Sequence, residues 1–261
     1  MPVKNSEWFN DSNFWEQFAP IMFDEAHWKE VLAVTDGITN LAGLDLYGEN
    51  PNSLKSPPKV LDICCGFGRI SAELARMGYE VTGVDITESY LKTAREEAAY
   101  ENLEIEYIHS DAREFKRPEA FDLALNLYNS FGYFESQDDD LRLVRNVYNS
   151  LKKGGCFIID IFGKEVAVRD FIESEWFERA GFMVLTKYKV LDAWTFLHNR
   201  WILIKDGKKY EKTFSYRLYS AVELKSLLLE AGFSKIDSYG EWDGSPYDQY
   251  ANRLIVVARK L

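Results

Sequence analysis

An apolar run that breaks into a glycine turn constrains this chain more than anything else in it. Residues 60–69 read Val60-Leu61-Asp62-Ile63-Cys64-Cys65-Gly66-Phe67-Gly68-Arg69. The next apolar run, Val81-Thr82-Gly83-Val84, ends in Asp85, and a third, Ile105 to Ser110, is followed by Asp111. Strand ends that deliver a glycine turn and two carboxylates to one edge describe a nucleotide-type pocket at the carboxyl side of a parallel sheet. Gly66 and Gly68 let the backbone bend and approach a ligand where a Cβ would intervene. The helix that follows carries Ile70, Leu74 and Met77 on one face, closes at Gly78, and aims its positive end at the same spot.

The turn departs from the dinucleotide fingerprint. In G-x-G-x-x-G register the glycine positions fall on Cys64, Gly66 and Arg69, so a pyrophosphate loses its close backbone approach. This disfavours a nicotinamide dehydrogenase. Read instead as Asp62-x-x-x-Gly66-x-Gly68, the pattern places an acid at the strand end, which suits a cationic group and repels a phosphate.

On these residues the chain resembles the class I S-adenosylmethionine (SAM)-dependent methyltransferases of the small-molecule type, whose first motif runs acid-x-Gly-x-Gly-x-Gly. Cys64 stands at the first glycine position and slightly crowds the methionine part of the ligand. The resemblance covers most of 58–163 and resumes at 220–260. It implies SAM as cofactor, with Asp62, Cys64, Cys65, Gly66, Phe67 and Gly68 wrapped around the methionine moiety. It further implies Asp85 at the ribose hydroxyls, Asp111 and Ala112 at the adenine edge, and Ile86, Ser110 and Asn126 among the cofactor-binding residues. Alone, Asp85 also reads as a helix cap before Thr87, and Asp111 as a turn residue. Together with the turn they favour the cofactor.

The chain has 261 residues, 46% of them hydrophobic, enough for one doubly wound domain with an insertion. No run of about 18 apolar residues offers a membrane span, and Met1 to Ser6 lacks the apolar core of a secretion signal. Adjacent Cys64 and Cys65, with Cys156 in a strand-like run, suit a reducing compartment, so a cytoplasmic location is expected. The cysteines cannot hold an iron–sulfur centre, which excludes radical SAM chemistry. His27, His109 and His198 show no metal spacing, and no metal is expected. A net charge of −11 with only short basic pairs, Lys152-Lys153 and Lys208-Lys209, disfavours a nucleic-acid substrate. The oligomeric state stays open.

The pattern along the chain predicts an α/β fold: a doubly wound, mostly parallel seven-stranded sheet with an N-terminal helical lid and an antiparallel β insertion. Residues 1–45 read as the lid, with Phe14, Trp15 and Phe18 on one face and Trp28, Val31, Leu32, Thr35 and Ile38 on another. Asn50 to Pro58 reads as a linker. The core spans 58–163, with strands at 60–64, 80–85, 105–110, 121–126 and 156–162 and helices at 69–77, 88–101 and 138–151. Residues 165–219 read as the insertion, with Asp206-Gly207 as a hairpin turn that pairs Arg200 with Thr213. A capping box at Ser220 to Glu223 opens the last helix, and strands near 235–239 and 253–258 close the single domain.

Substrate should meet cofactor above the central strand ends. The fourth strand runs into Asn126-Leu127-Tyr128-Asn129-Ser130-Phe131-Gly132-Tyr133, which lacks the Asn-Pro-Pro-aromatic loop of base-amine methyltransferases. The expected acceptor is a small molecule methylated on N or O. A nucleic-acid methyltransferase and a SAM-binding regulator without turnover are the alternatives. Tyr128, Tyr133 and His198 are candidate proton acceptors, each of which also reads as packing. Arg200, Arg217 and Tyr219, set among aromatics on strands, are candidate substrate contacts for an acidic group, and each arginine also reads as a surface ladder pair. The turn from Gly244 to Asp248 is a further candidate border of the pocket.

Overall fold

The structure is a computed structural model that describes residues 7–44 and 56–261. Met1 to Ser6, residue 45 of the expected lid and the Asn50-to-Ser53 part of the expected linker lie outside the described residues. Among the described residues, eleven strands and eight α-helices follow a short 3₁₀ turn at Trp8–Asn10. The N-terminal helices are α1 (Ser12–Met22), α2 (Glu25–Lys29) and α3 (Val31–Ala42). The alternating part runs β1 (Lys59–Ile63), α4 (Arg69–Arg76), β2 (Glu80–Asp85), α5 (Glu88–Tyr100), β3 (Ile105–His109), β4 (Phe121–Asn126), α6 (Gln137–Ser150) and β5 (Leu151–Ile161). Next come α7 (Lys164–Arg169), the antiparallel strands β6 (Ser174–Arg179), β7 (Phe182–Leu191), β8 (Phe196–Lys205) and β9 (Lys208–Arg217), and then α8 (Ala221–Ala231), β10 (Lys235–Tyr239) and β11 (Leu254–Arg259).

The main sheet has the expected seven strands, in the order β10-β11-β5-β4-β1-β2-β3. Strands β1 to β5 run parallel, and β11 is antiparallel to both of its neighbours. Along β1 the side chains alternate between two cores. Leu61 and Ile63 face α6 and α8, where Val144, Val147, Leu224 and Leu228 are buried. Val60 faces α3 and α4, where Val34, Ile38, Ile70 and Leu74 are buried. A parallel strand covered on both faces reads as a continuous apolar run for this reason.

Two expectations shift. Strand β5 begins at Leu151, earlier than 156, because Lys152 to Gly155 join the sheet across a register shift opposite Phe121 and Leu123. Helix α3 belongs to the core layer and not to the lid. A Cβ on Gly37 would sit 2.7 Å from the Cβ of Trp242, so this glycine lets α3 lie directly on the turn before β11. The lid therefore narrows to the residues before Val31.

The second sheet, β6-β7-β8-β9, is the antiparallel insertion. Its last hairpin turns at Asp206-Gly207, both with positive φ, and Arg200 lies opposite Thr213 as the turn predicts. Side chains alternate across a strand. Leu197, Asn199 and Trp201 on β8 face inward with Val184, Thr186 and Tyr188 on β7 and Phe214 and Tyr216 on β9. His198 and Arg200 fall on the opposite face. The His198 ring sits 2.8 Å from the Ser215 hydroxyl, and Arg200 is 48% exposed and bound to Glu211 at 2.7 Å. The expected catalytic and substrate roles of these two residues are corrected by strand parity.

Arg217 and Tyr219 also stand apart from the cavity, around a buried acid. Asp140, fully buried in the first turn of α6, accepts the Tyr219 hydroxyl at 2.7 Å and lies 3.6 Å from Arg217 Nε. Arg217 also donates to the Glu135 carbonyl and covers the Phe196 ring. These residues tie the end of the insertion to the core, and their expected substrate role is corrected. Burial drives the Asp140 carboxyl up to about 7 from its ordinary 3.8, against the pull of Tyr219 and Arg217. Between those values the folded chain keeps a proton that the unfolded chain has lost, so this group's contribution to stability falls as pH rises. Asp140→Asn stays neutral throughout. Relative to wild type it should gain stability between about pH 5 and pH 7, by up to about 1.4 kcal/mol per unit. Thermal melts of both proteins across that range provide the check, and parallel curves would refute it.

Candidate active site

The strand β1 ends in a turn whose backbone is left-handed at three points, Cys64 (φ 62°), Gly66 (φ 58°) and Gly68 (φ 70°). Glycine adopts this conformation freely, whereas a residue with a Cβ loses roughly 1–2 kcal/mol there. The cysteine at the first glycine position therefore carries strain, which the end of β2 helps to hold. Cys64 and Cys65 donate their N–H groups to the Val84 carbonyl at 2.7 and 3.1 Å. Asp85, one residue on, accepts the Gly66 N–H on Oδ2 and the Thr87 N–H on Oδ1, both at 2.8 Å.

Above this turn opens a cavity of about 1000 Å³. Its floor is the carboxyl edge of the sheet, with Asp62, Cys64, Cys65, Gly66, Asp85 and Ile86, and with Ser110, Asp111 and Ala112 at the β3 end. Its roof is the inward face of the insertion, and its side wall is the N-terminal segment from Trp8 to His27. That wall is tied to both layers. Trp8 Nε1 donates to the Ser215 carbonyl at 2.9 Å and Asp11 pairs with Lys212 on the insertion side. On the core side, Tyr90 donates its hydroxyl to the Trp15 carbonyl, and Phe23 packs against Phe67 and Tyr90.

The electrostatics of the floor ask for a cation. Asp62 is buried and accepts the Ser71 hydroxyl at 2.6 Å. Burial pushes its carboxyl up to about 6, Ser71 and Arg69 oppose this, and Asp85 nearby adds to it. Burial also raises the Asp85 carboxyl against the hydrogen bonds from Thr87 and Gly66. A positively charged ligand would favour the ionised form of both. A carboxylate has about four lone-pair sites, and Asp85 shares them between the neighbouring Gly66, Thr87 and Ile86 donors and the cavity that it lines.

Several expected residues sit elsewhere. Phe67 stacks on Tyr90 with ring centroids 4.1 Å apart, and both it and Gly68 border a separate crevice behind the turn. Asn126 lies beneath the cavity floor and donates to the Ile63 carbonyl at 3.3 Å. Asp111 reaches the cavity, but Arg113 occupies both its oxygens, at 3.1 and 2.6 Å, which leaves the backbone at Asp111 and Ala112 to meet a ring edge. Burial raises its carboxyl, and the Arg113 hydrogen bonds outweigh that and hold it low. The turn at Gly244 to Asp248 stays outside the cavity wall, where Tyr247 instead donates to Glu165.

Tyr128 and Tyr133 do line the cavity. The Tyr128 hydroxyl is buried without a partner among the described residues, under the Arg69 guanidinium, which lies 3.9 Å from the ring centre. Tyr133 packs on Trp8 at 4.7 Å. Burial raises both phenols far above the ordinary tyrosine value, which disfavours their ionised forms. The sequence reasoning missed Arg69, His27, Asp160 and Arg253, which also line the cavity. Arg69 Nη1 donates to the His27 carbonyl, joining the helix after the turn to the lid. Asp160 interrupts the apolar run one residue before the end of β5, as Asp62 does one residue before the end of β1.

Comparison with known proteins agrees with this geometry. Residues 60–155 match the family model of a methyltransferase domain. The crystal structure of a SAM-dependent methyltransferase from Clostridium acetobutylicum shares the fold, with a TM-score of 0.77, 17% identity, and 94% of this chain and 98% of that one covered. A glycine/sarcosine N-methyltransferase of Aphanothece halophytica is 26% identical over 77% of this chain and 76% of its own length. A ubiquinone biosynthesis O-methyltransferase of Ruegeria pomeroyi is 36% identical over 42% of this chain and 48% of its own. Among the described residues no helix is long and apolar enough to cross a membrane. Residues 60–155 thus carry a methyltransferase domain, and the glycine turn and paired acids at its strand ends are the features in which the chain resembles the class I SAM-dependent methyltransferases.

Proposed function

We propose that the enzyme transfers the methyl group of SAM to nitrogen or oxygen of a small molecule enclosed beneath the insertion. One observation carries this reading. The acid-lined turn and the aromatic face of the insertion open onto one continuous cavity, walled by the N-terminal helices. In the proposed arrangement the methionine part lies on the turn from Asp62 to Gly66, the ribose hydroxyls bond Asp85, and the adenine lies against Ile86 and the Asp111–Ala112 backbone. The acceptor occupies the space under Asn199, Trp201, Phe214 and Tyr216. Bound SAM supplies an electrophilic methyl on a sulfonium. The protein's part is to hold the acceptor lone pair in line with the leaving sulfur and to exclude water. Relatives named for N- and O-methylation support both acceptor atoms. A net charge of −11 and a roofed cavity weigh against nucleic acid.

Asp85 is the sharpest test of the cofactor pose. Charge-assisted hydrogen bonds contribute roughly 1.5–3 kcal/mol, so Asp85→Ala should weaken SAM binding about 10- to 150-fold by isothermal titration. Unchanged affinity would move the ribose elsewhere.

The wall formed by Trp8 to Met22 bonds both the core and the insertion, so SAM exchange requires those contacts to open. Backbone hydrogen exchange in that segment should slow when SAM binds. Equal rates with and without SAM would leave the segment a fixed part of the fold.

A further inference from the structure

Four acids stand at the carboxyl ends of the parallel strands, and three have partners that define their work. Asp62 holds Ser71 under the turn, Asp85 takes two backbone N–H groups beside the proposed ribose, and both oxygens of Asp111 belong to Arg113. Asp160 is different. It is only 4% exposed, it lines the cavity, and it sits beside the Tyr128–Asn129 loop. Its main-chain carbonyl accepts the Asn129 N–H at 3.1 Å, and its Oδ2 accepts the Tyr128 N–H at 3.2 Å. Arg253 Nη1 lies 3.5 Å from the same oxygen. Among the described residues no donor reaches Oδ1, and that atom is not sealed from the cavity. The side chain is thus fixed by one oxygen and leaves the other open.

The cations of the cavity wall have partners already. Arg69 lies over Tyr128, Arg179 pairs with Asp24 at 3.2 Å, and Arg253 is divided among Asp160, Glu30 at 3.7 Å and Glu241 at 3.2 Å. Arg179 and Arg253 are thus neutralised by carboxylates and Arg69 is held on the Tyr128 ring and the His27 carbonyl, whereas acids outnumber arginines along the wall. We propose that the methyl acceptor is an amine that enters as an ammonium, and that Asp160 Oδ1 removes its proton. This rests on the small-molecule reading above and narrows it.

The chemistry balances without a further reactant. The ammonium nitrogen gives one proton to Asp160 and recovers its lone pair. That pair forms the N–C bond to the methyl carbon as the C–S bond breaks, and the sulfur keeps the bonding electrons. The product is an N-methyl ammonium, and the proton on Asp160 returns to solvent once the site opens. The groups facing Asp160 are Arg253, the Tyr128 phenol with Arg69 over it, and the carboxylates Glu30 and Glu241. Burial pushes its carboxyl up to about 6, Arg253 and the Tyr128 N–H pull it down, and the two glutamates raise it again. A buried amine is easier to deprotonate than a free one, so donor and acceptor approach each other. An alcohol is far too weak an acid for this base and brings no charge for the acid-rich wall.

The test supplies SAM bearing a deuterated methyl to the enzyme, with a cellular metabolite extract as the acceptor source. Half of the extract is first treated with formaldehyde and borohydride, which converts its primary and secondary amines to tertiary ones and spares hydroxyls. Label should enter the untreated extract and be lost from the treated one. Asp160→Asn keeps an acceptor for the Tyr128 N–H, so its SAM affinity by titration should match wild type. Its transfer rate should fall about 100-fold or more. The wild-type rate should drop as pH falls through about 6, since Asp160 must be ionised to take the proton, and the variant should lack that limb. Label found on oxygen after amine blocking overturns the proposal, as does a variant with wild-type rate and pH profile. SAM binding with no label in either extract would instead sink the small-molecule reading and this proposal with it. Failure to bind SAM would point to the cofactor pose.

Discussion

The Asp85 carboxylate is the joint on which the site depends. It ends β2, accepts the Gly66 N–H of the turn after β1, and caps the approach to α5 through Thr87. With the two bonds from Cys64 and Cys65 to Val84, it carries the β1–β2 ladder past the end of the strand. A turn with three left-handed residues, one of them a cysteine, is poorly stable alone. Anchored to β2 it presents its backbone to the cavity in one conformation. Asp85 divides its lone pairs between the neighbouring donors and the cavity that it lines, so the carboxylate that sets the turn also faces the ligand space. In the proposed pose, structural and binding roles share the same atoms.

That economy explains which parts of the molecule can be read from sequence. The turn, Asp85 and the alternation of strands and helices are local features, because a strand, its terminal residue and the following glycine are consecutive in the chain. The hairpin at Asp206-Gly207 is equally local, and its register follows from the turn alone. Parity is not local. Arg200 and Trp201 are neighbours in sequence, and only the position of the sheet over the core decides which of them faces the cavity. Composition draws attention to an arginine among aromatics, yet the inward face here is carried by Leu197, Asn199 and Trp201. A charged residue on a strand is more easily accommodated outside, where Glu211 pairs with Arg200 in solvent.

Arg217 and Tyr219 fail for a second reason. Both are buried or nearly so, and a buried arginine beside a tyrosine resembles a binding site in sequence. The partner that accounts for them, Asp140, lies far away in the chain, in the first turn of α6. There the run Asp138-Asp139-Asp140 looks like a solvated, dipole-favoured helix start. Asp138 and Asp139 fit that description, whereas Asp140 turns inward. Long-range pairing of polar groups leaves no periodic trace, so the sequence shows the three carboxylates as equals.

The same contrast separates the two halves of the cavity. The half over the turn is built from strand ends, whose positions the ladder sets. The other half is built from three contributors with no sequence relation: the insertion, the N-terminal segment and the β4 and β5 ends. Their contacts combine bonds such as Trp8 Nε1 to Ser215 with aromatic packing such as Trp8 and Phe14 on Phe214. An N-terminal segment bonded equally to core and insertion moves only if both sets of contacts give way, so opening to admit a substrate uncovers the aromatic roof as well. The resulting division suits a methyl transfer. In the proposed arrangement the rigid half fixes the donor against the backbone, and the half assembled from separate segments is free to differ in shape and charge without disturbing the turn. Asp160 stands where those halves meet, on a parallel strand of the rigid sheet and facing the space that the variable segments enclose.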